Sequence, residues 1–446
     1  MNLRPFLLMI YGSLSLAQAG GVYWTDRGAS QLKRMNFDGT GLQTITLSGG
    51  VTVSGTNIRG IAVDVPNGRL FWADNGADRL LRANLDGSSS MILHTITGGN
   101  SFPADVRLDL ANGHFYWCDQ LRDRIQRSSL DGSAVADVIT DAAPAVGDGP
   151  YFMELDIPAG KIYWGDFNGG HIFRANLDGA SREMLVTGNN LTRGVCLDAA
   201  HGMLYWINRD DKKVHRCPLS AFGPLPIPPT PPVVETLYSG LDTPHGLVLD
   251  IPARKLYWAD TGSNSGTGTG DKAVSRGDFD GSGAVEVLGT GSEPWDVDLD
   301  RRCANYADWV ARCFRQNSPA ALTDPAADPD GDGVINALEY AKDLSPVHSE
   351  LGTLQGFITV GPVTNSEYHA LKFRRRSGTT DLAYYPQVST DLINWRDDST
   401  GDALPPTIEI EVTPLGDGME EVTARTLYTI NDIPHHFMRL RVVMIH

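Results

Sequence analysis

The sequence predicts an all-β protein whose larger part is a tandem repeat, and three recurring features support this. The first is a tetrapeptide of an aromatic residue, Trp, any residue and Asp, which begins at Tyr23, Phe71, Tyr116, Tyr163 and Tyr257. A sixth copy begins at Tyr205 and ends in Asn208. The Trp residues of successive copies lie 48, 45, 47, 42 and 52 residues apart. A period of about 40–50 residues is typical of propeller blades and other stacked arrays.

The second feature is an apolar run that ends in Asp and precedes the tetrapeptide. It ends at Asp64, Asp109, Asp156, Asp198, Asp250 and Asp300. A turn such as Asn67-Gly68 follows, which is a strong hairpin signal between two apolar runs. The run and the tetrapeptide are therefore predicted to be the first and second strands of each repeat.

The third feature is an Arg that follows the last tetrapeptide residue, at Arg34, Arg82, Arg127, Arg174, Arg216 and Arg276. The spacing is eight residues in five copies and sixteen in the last, where a Gly-, Ser- and Thr-rich stretch at 261–270 accounts for the difference. An Asp-Gly turn then leads to a fourth short strand in every repeat except the fifth, which carries a Pro-rich run at 218–232.

The tetrapeptide Asp and the following Arg are predicted to be structural and to pair with one another, because a catalytic group is needed once rather than six times. Asn208 replaces the Asp in the fifth repeat, so its pair with Arg216 is expected to be a neutral hydrogen bond or to be open to water.

Together these features resemble the YWTD repeats, also called low-density-lipoprotein-receptor class B repeats. The resemblance covers residues 20–300 and implies a six-bladed β-propeller with four-stranded blades. The Cys-rich modules that flank these repeats in animal receptors are absent from this sequence. For that reason we do not extend the receptor biology of the family to this chain.

The two ends of the repeat region indicate how the ring closes. The sequence reaches Tyr23 without a preceding first strand, whereas Pro294 to Asp300 has the pattern of a first strand with no tetrapeptide after it. We therefore expect the C-terminal strand to complete the first blade, which removes exposed sheet edges.

Composition limits the location and the partners. Residues 1–19 have one cation, an apolar stretch and small residues at the end, which predicts a secretory signal peptide. No later segment reaches the roughly 18 apolar residues of a transmembrane helix, so we expect a secreted, cell-surface or periplasmic protein. The net charge of −17 disfavours nucleic acid as a partner. The five Cys are too few for a disulfide scaffold in a chain of this size and are expected to be mainly small buried thiols.

Residues 328–339 match the EF-hand loop pattern D-x-[DN]-x-[DN]-G-x5-E at every defined position. The expected Ca²⁺ ligands are Asp328, Asp330, Asp332, the Val334 carbonyl, Asn336 and the bidentate Glu339. Pro319 and Pro325 before the loop and Pro329 within it disfavour a full entering helix, whereas residues 335–344 are a plausible exiting helix. The pattern therefore predicts a single structural calcium site of the loop-helix kind, similar to those of dockerin and thrombospondin type 3 repeats.

The remaining tail is predicted to begin with a short helix at 306–314 and to end with a small antiparallel β domain. Alternating apolar residues at 371–373, 408–412 and 437–442 indicate its strands. The three Arg at 374–376 are expected to be solvated. The tail also resembles C-terminal modules of secreted proteins from Verrucomicrobia-like bacteria. The predicted domains are a signal peptide (1–19), the propeller (20–300), a helical linker (301–327), the calcium loop with its helix (328–345) and the β domain (350–446).

In a propeller, the loops that enter the first strand and leave the second strand share one face, and proteins of this family generally bind ligands there. The candidate ligand-binding rim on this face consists of Arg27, Arg59, Tyr151, Phe167, Arg193, Arg209, His245 and Trp295. Arg and aromatic residues dominate binding hot spots. A non-catalytic binding module for a protein or peptide is therefore the favoured function.

Two alternatives remain open at this point. The first is a metal-dependent propeller enzyme of the lactonase or hydrolase type, whose ligands would come from Asp105, Glu154, His245, Asp296 and Asp298. Against it, Arg107 offers Glu154 an ion-pair partner, and no hydrolase or nucleotide-binding motif occurs in a credible setting. The second is a structural spacer on the cell surface.

Overall fold

The structure is a computed structural model. It describes residues 20–53, 57–140, 149–167, 169–186, 191–222, 233–262, 272–303, 305–314, 318–329, 336, 340, 355–360, 367–379, 381–389, 396, 407–416, 418–426 and 437–444. The predicted signal peptide and most of the predicted calcium loop lie outside these residues. No helix within the described ranges is long and apolar enough to cross a membrane.

Six four-stranded antiparallel sheets occupy the repeat region. Their strands are β1 (Gly21–Asp26), β2 (Gln31–Met35), β3 (Gln43–Thr44), β4 (Ile58–Asp64), β5 (Arg69–Asp74), β6 (Arg79–Asn84), β7 (Met91–Thr95), β8 (Pro103–Asp109), β9 (His114–Asp119), β10 (Arg124–Ser129), β11 (Ala136–Thr140), β12 (Pro150–Asp156), β13 (Lys161–Asp166), β14 (Ile172–Asn176), β15 (Glu183–Val186), β16 (Thr192–Asp198), β17 (Met203–Asn208), β18 (Lys213–Pro218), β19 (Glu235–Ser239), β20 (Pro244–Asp250), β21 (Lys255–Asp260), β22 (Ala273–Asp278), β23 (Glu286–Thr290) and β24 (Pro294–Asp300). Sheet I has the order β24-β1-β2-β3, and sheets II to VI each contain four consecutive strands, starting with β4, β8, β12, β16 and β20.

The core of the repeat region lies between neighbouring sheets. One apolar cluster combines Tyr116 and Cys118 of sheet III with Met153 and Trp164 of sheet IV. The tetrapeptide Trp residues are fully or almost fully buried in all six sheets. A sheet that is apolar on both faces is stable only when both faces are covered, so each sheet needs a neighbour on either side.

The first strands of the sheets lie side by side in a cycle, β24, β4, β8, β12, β16, β20 and back to β24. The last strand of the repeat region, β24, pairs antiparallel with β1, so that Trp24 lies opposite Val297. Asp26 at the end of β1 strengthens this connection. Its carboxylate accepts hydrogen bonds from the backbone amides of Ser292 and Glu293, at 2.8 and 2.9 Å, and from the Lys33 ammonium at 2.6 Å.

The predicted pairing between the tetrapeptide Asp and the following Arg is wrong. The Arg lies directly across from the first residue of the tetrapeptide, as with Tyr23 and Arg34. The Asp is three residues further along the strand, at its far end. It instead binds backbone amides before the first strand, as Asp119 does with Phe102 and Asp260 with Thr243, or a nearby cation.

The recurring Arg residues connect different parts of the fold. Arg174, Arg216 and Arg276 bind glutamates on the fourth strand of their own sheets. Two of the recurring Arg residues donate to backbone carbonyls of the next sheet in the cycle. Arg82 of sheet II donates to the Leu130 carbonyl of sheet III, and Arg276 of sheet VI donates to the Phe37 carbonyl of sheet I. The prediction of a structural role therefore holds for these Arg residues, although their partners differ from the predicted ones.

The tail begins with helix α1 (Tyr306–Cys313), which matches the predicted helix, and a short helix α2 (Ala320–Thr323). Asn305 caps α1 by accepting a hydrogen bond from the Asp308 amide. The helix contacts sheet VI through Arg312, which donates two hydrogen bonds to Asp250 at 2.6 and 2.7 Å. Neither side chain is exposed to solvent.

The C-terminal strands are β25 (Gln355–Val360), β26 (Glu367–Arg376), β27 (Leu382–Ser389), β28 (Thr407–Gly416), β29 (Met419–Thr426) and β30 (Phe437–Met444). They form a four-stranded sheet, β25-β26-β29-β28, and the pair β27-β30. The expected antiparallel strands are therefore present. The expectation that Arg374–Arg376 are all solvated is wrong for Arg376, which is 3% exposed and stacks over the Tyr340 ring.

Candidate functional site

The second residue of each first strand occupies an equivalent position at one end of the sheets. These residues are Arg59, Ala104, Tyr151, Arg193, His245 and Trp295. The pairing with the second strand shifts register next to this position in all six sheets. A β-bulge of this kind changes the direction of the side chain beside it and commonly occurs next to functional sites.

A glycine follows this position in three of the strands and permits close contact between neighbouring first strands. A Cβ atom added to Gly246 would lie 2.6 Å from the Cα atom of Asp296. One added to Gly60 would lie 2.4 Å from the Cα atom of Asp105. These glycines are needed for the tight packing of the first strands at this end.

Five of the six equivalent side chains form one cluster, here called the inner cluster: Arg59, Tyr151, Arg193, His245 and Trp295. Tyr151 of sheet IV and Trp295 of sheet I make an edge contact with ring centres 6.1 Å apart. His245 stacks on Trp295 at 3.9 Å. Sheets I and IV are opposite each other in the cycle, so the inner cluster spans its centre at this end.

Both inner arginines bind through the faces of aromatic rings. The Arg59 guanidinium lies 4.0 Å from the centre of the Trp295 ring, and its Nη1 donates to the Tyr151 hydroxyl at 3.4 Å. The Arg193 guanidinium lies 4.5 Å from the centre of the Tyr151 ring. Its Nη1 donates to two backbone carbonyls, those of Phe167 and Thr192. Cation–π contacts of this kind contribute about 0.5–2 kcal/mol each.

The inner cluster is buried and positively charged. Its five side chains are at most 4% exposed. Burial lowers the pKa of Arg59 and of Arg193 to about 10. Burial also lowers the pKa of His245 far below its ordinary value, and the charges of Arg193 and Arg209 lower it further. His245 is therefore neutral at physiological pH, and perturbed pKa values of this kind are common at functional sites.

Four nitrogen atoms of the inner cluster are buried and have no hydrogen-bond partner among the described residues: Arg59 Nε, Arg193 Nε, His245 Nδ1 and Trp295 Nε1. The two guanidinium nitrogens and the indole nitrogen always carry a hydrogen and act only as donors. Leaving a buried donor unsatisfied costs about 1–3 kcal/mol. The cluster thus holds an excess of donors over acceptors.

A second group of side chains, here called the outer ring, surrounds the inner cluster: Arg27, Phe102, Phe167 and Arg209. All four are half-buried. Phe102 lies over the Arg59 guanidinium at 4.3 Å, and Phe167 lies over that of Arg193 at 4.8 Å. Arg27 pairs with Glu293 and also lies 4.8 Å from the centre of the Trp295 ring.

The structure therefore brings seven of the eight predicted rim residues into contact in one place. The eighth, Arg209, is close enough for its charge to lower the pKa of His245. Sequence reasoning missed Phe102, because it lies one residue before the first strand, where no equivalent aromatic recurs in the other repeats. The only indirect signal for Phe102 in the sequence is Ala104, two residues later. Its side chain is too small to fill the position that larger side chains occupy in the other repeats.

The acidic residues of the enzyme hypothesis lie in the layer beneath the inner cluster and already have partners. Asp105 and Asp296 pair with Arg107 at 2.6 and 3.6 Å. Asp105 also accepts a hydrogen bond from the Met153 amide, and Asp296 accepts one from the Ile61 amide. These bonds join β8 to β12 and β24 to β4, and the bond from the Val63 amide to Asp298 also joins β24 to β4.

Burial raises the pKa of Asp105 well above its usual value, with a further rise from the charge of Asp296 that Arg107 opposes. His245 stacks on Trp295 and is not part of this acidic layer. Within the described part of the chain, no group of three or more His, Cys, Asp or Glu side chains is arranged to hold a metal ion. The ligand set of the enzyme hypothesis is therefore not brought together by these residues.

Of the predicted calcium ligands, the structure describes Asp328 and Asn336, whereas Asp330, Asp332, Val334 and Glu339 lie outside the described residues. Asp328 is exposed. Asn336 is fully buried, and its Nδ2 donates to the carbonyls of Leu322 and Asp324 at 2.8 Å each. Its Oδ1 has no hydrogen-bond partner among the residues described, which is the arrangement that a cation or a bound water would satisfy.

Comparison with solved structures identifies the architecture. A chain of the nidogen/laminin complex superposes with a TM-score of 0.50 at 18% sequence identity, covering 63% of this chain and 98% of that one. The likeness extends over nearly the whole of that chain and corresponds in size to the repeat region. The chain contains a β-propeller.

Two further solved structures share less with this propeller protein. TolB from Acinetobacter baumannii gives a TM-score of 0.46 at 13% identity, covering 63% of this chain and 66% of that one. A luciferin-regenerating enzyme gives a TM-score of 0.39 at 10% identity, covering 55% and 80%. No protein-family model matches the propeller protein, and no curated protein sequence matches it. At these identities the similarity concerns the fold alone.

Proposed function

We propose that residues 20–300 form a closed six-bladed propeller of the YWTD type, which binds a protein or peptide and does not itself catalyse a reaction. The observation that carries the binding proposal is the contact of four aromatic and three arginine side chains from different sheets at one end of the propeller. The cyclic order of the first strands and the pairing of β24 with β1 support closure.

The chemistry of this end is suited to a macromolecular partner. Aromatic and Arg side chains are the residues most enriched in binding hot spots, and they usually lie in a central, desolvated position with a more exposed rim around them. The inner cluster and the outer ring have this arrangement. The nidogen/laminin neighbour is, by its description, part of a protein complex, which agrees with the proposal.

The binding proposal is tested with a displayed library of random peptides, selected on the immobilised mature protein. We expect the selected peptides to lose affinity when Phe167 and Arg209 are both replaced by Ala. The expected loss is about 30-fold or more, since hot-spot residues contribute about 2 kcal/mol or more. Both side chains are half-buried, so the variant is expected to fold.

A matched control is Leu110→Ala, at the opposite end of sheet III, between β8 and β9. Leu110 is 37% exposed, and its truncation should leave the affinity of the selected peptides unchanged. If no selected peptide distinguishes the Phe167/Arg209 variant from the wild type, this end of the propeller is not a peptide-binding face. The structural-spacer function would then be favoured.

We further propose that the tail holds one Ca²⁺ in the loop at 328–339. The sequence pattern supports the site, and the unsatisfied Oδ1 of Asn336 fits it. The metal would order the connection between α2 and the segment that contains Tyr340. The predicted secretory signal suggests an extracellular or periplasmic location, where millimolar calcium sites are common.

Calcium titration of the chelator-stripped protein is expected to show one site by calorimetry. Replacing both Asp330 and Glu339 by Ala should abolish the heat, because this removes two carboxylates including the bidentate ligand. Asp324→Ala, just before the loop, is the control and should retain the site. Binding that survives in the double variant would place the metal elsewhere, and the metal-dependent enzyme would become the leading alternative.

A further inference from the structure

The outer edge of sheet V has a hydroxyl, an imidazole and a carboxylate in contact with one another. The Thr236 hydroxyl of β19 lies 3.3 Å from His215 Nδ1 of β18. His215 Nε2 in turn lies 3.0 Å from Asp211 Oδ2, in the turn between β17 and β18. β19 is the last strand in the order of this sheet, and Thr236 is exposed. A buried imidazole is thus joined to a hydroxyl that a reagent in solution can reach.

The two partners of His215 decide which of its ring nitrogens carries the hydrogen. An ionised carboxylate only accepts hydrogen bonds, so Asp211 requires the hydrogen to be on Nε2. Lys213 Nζ, 3.7 Å from the same Asp211 oxygen, favours the ionised form of this carboxylate. Nδ1 of the neutral ring then accepts from the Thr236 hydroxyl. A hydroxyl bonded to a base that a third group orients is the arrangement of an activated nucleophile.

Packing holds the imidazole in this position. The His215 ring centre lies 5.5 Å from that of Trp206, and only 9% of the His215 side chain is exposed. His215 and Thr236 lie directly opposite each other in the pairing of β18 with β19. Side chains at directly opposite positions share one face of the sheet and are in reach of each other. The base is therefore in place before a reactant arrives.

The other sheets have an equivalent pair of residues, which provides a comparison within the same protein. Only one of these six pairs, all within the described residues, places an imidazole opposite a hydroxyl. The pairs are Lys33 and Thr44, Leu81 and Ile92, Gln126 and Asp137, Phe173 and Met184, His215 and Thr236, and Ser275 and Val287. Thr44 is also exposed, but its hydroxyl donates to Gln31 Oε1 at 3.4 Å. It therefore has an amide oxygen where Thr236 has a basic nitrogen.

We propose that Thr236 is a nucleophilic hydroxyl that accepts an acyl group from an activated ester or thioester. The Thr236 oxygen attacks the acyl carbon while His215 Nδ1 takes the hydroxyl proton. The bond between the acyl carbon and the leaving group then breaks, and His215 returns the proton to the departing alcohol or thiol. The products are an acyl-threonine ester and that alcohol or thiol, so the exchange is balanced without a further reactant.

This modification goes beyond the proposed binding function and is independent of it. It takes place on the outer edge of sheet V, whereas the inner cluster lies where the first strands converge. Each protein molecule consumes one donor, so the propeller is modified and does not turn over a substrate. The donor must already be activated, because the imidazole only removes the proton and leaves the acyl group as reactive as it was in solution.

The test is the reaction of the mature protein with p-nitrophenyl acetate, followed by tandem mass spectrometry of its peptides. We expect an acetyl ester on Thr236 to form about tenfold or more faster than one on Thr44, since general-base catalysis contributes about 10²–10⁴-fold. Hydroxylamine, which cleaves esters and leaves amides intact, distinguishes these products from acetyl-lysine. Equal rates at the two threonines in the wild type would overturn the proposal.

Substitutions at the base and at the nucleophile identify their roles. His215→Gln should slow acetylation of Thr236 about tenfold or more and leave that of Thr44 unchanged. Thr236→Ser keeps the hydroxyl and should still be acetylated at this position. The control is His94→Gln, because His94 lies against the Trp117 ring at 5.8 Å as His215 does against Trp206. It should leave the Thr236 rate unchanged.

Thermal unfolding of each variant shows whether it is folded. If His215→Gln is unfolded, Asp211→Asn takes its place. It replaces a half-buried carboxylate that orients the imidazole, and it should slow acetylation of Thr236 and not that of Thr44. A folded His215→Gln or Asp211→Asn variant with the wild-type rate at Thr236 would show that the imidazole does not activate this hydroxyl.

Discussion

Replacing Arg312 by Met is expected to lower the free energy of unfolding by about 3–5 kcal/mol, because it removes the close partner of the buried Asp250 carboxylate and leaves only Arg301, at 4.0 Å. The two side chains have no exposed surface. Arg312 also donates to the Arg301 carbonyl at 3.1 Å, so the substitution removes a connection between α1, the segment after β24 and sheet VI. Chemical denaturation of the full chain measures the loss.

The control for this prediction is Arg124→Met. Arg124 pairs with Asp137 at 3.3 Å, and the two side chains are 35% and 43% exposed, so solvent screens the pair and its loss should cost about 1 kcal/mol or less. Adding Asp250→Leu to Arg312→Met should recover part of the stability, because it removes the buried charge that has lost its close partner. Equal losses in the Arg124 and Arg312 variants would contradict the role assigned to burial.

Replacing Asp26 by Ala is expected to cost about 3 kcal/mol or more. The fully buried carboxylate accepts hydrogen bonds from the Ser292 and Glu293 amides and from Lys33, and its removal leaves these donors unsatisfied. These bonds hold the start of β24 against the end of β1, so they join the last strand of the repeat region to the first. Thermal unfolding of the variant measures the effect.

Asp26→Asn is the matched comparison, since the fifth repeat already has Asn208 at the equivalent position. Asn keeps one acceptor oxygen, so the loss of stability in Asp26→Asn should be smaller than that in Asp26→Ala.

The contribution of Asp26 to stability also depends on pH. Burial raises the pKa of Asp26, but the bonds from Lys33, Ser292 and Glu293 outweigh that effect and lower it.

A carboxylate whose pKa is lower in the folded state contributes stability at neutral pH, and this contribution is lost as the pH falls below about 4. The difference in stability between the wild type and Asp26→Ala should therefore narrow in acid. A difference that is independent of pH would show that the carboxylate charge does not help to hold β24 against β1.

The candidate site could be predicted in part because its residues share one position in the repeat. Counting back from the first-strand Asp gives Arg59, Tyr151, Arg193, His245 and Trp295, and the structure brings these five side chains together. The recurring Arg was predicted less well. Its distance of eight residues from the tetrapeptide Asp suggested a pair, whereas the hairpin register places it opposite the aromatic residue.

The sequence by itself determined the strands, their order and the position that faces one end of the propeller, because alternation and turn residues act locally and repeat. It also determined the motif of the predicted calcium loop. Only the tertiary structure decided which charges are paired. Arg59 and Arg312 are alike as residues, but one lies against Trp295 and the other against Asp250. Burial and the approach of residues distant in the chain set that difference, and neither is encoded in local spacing.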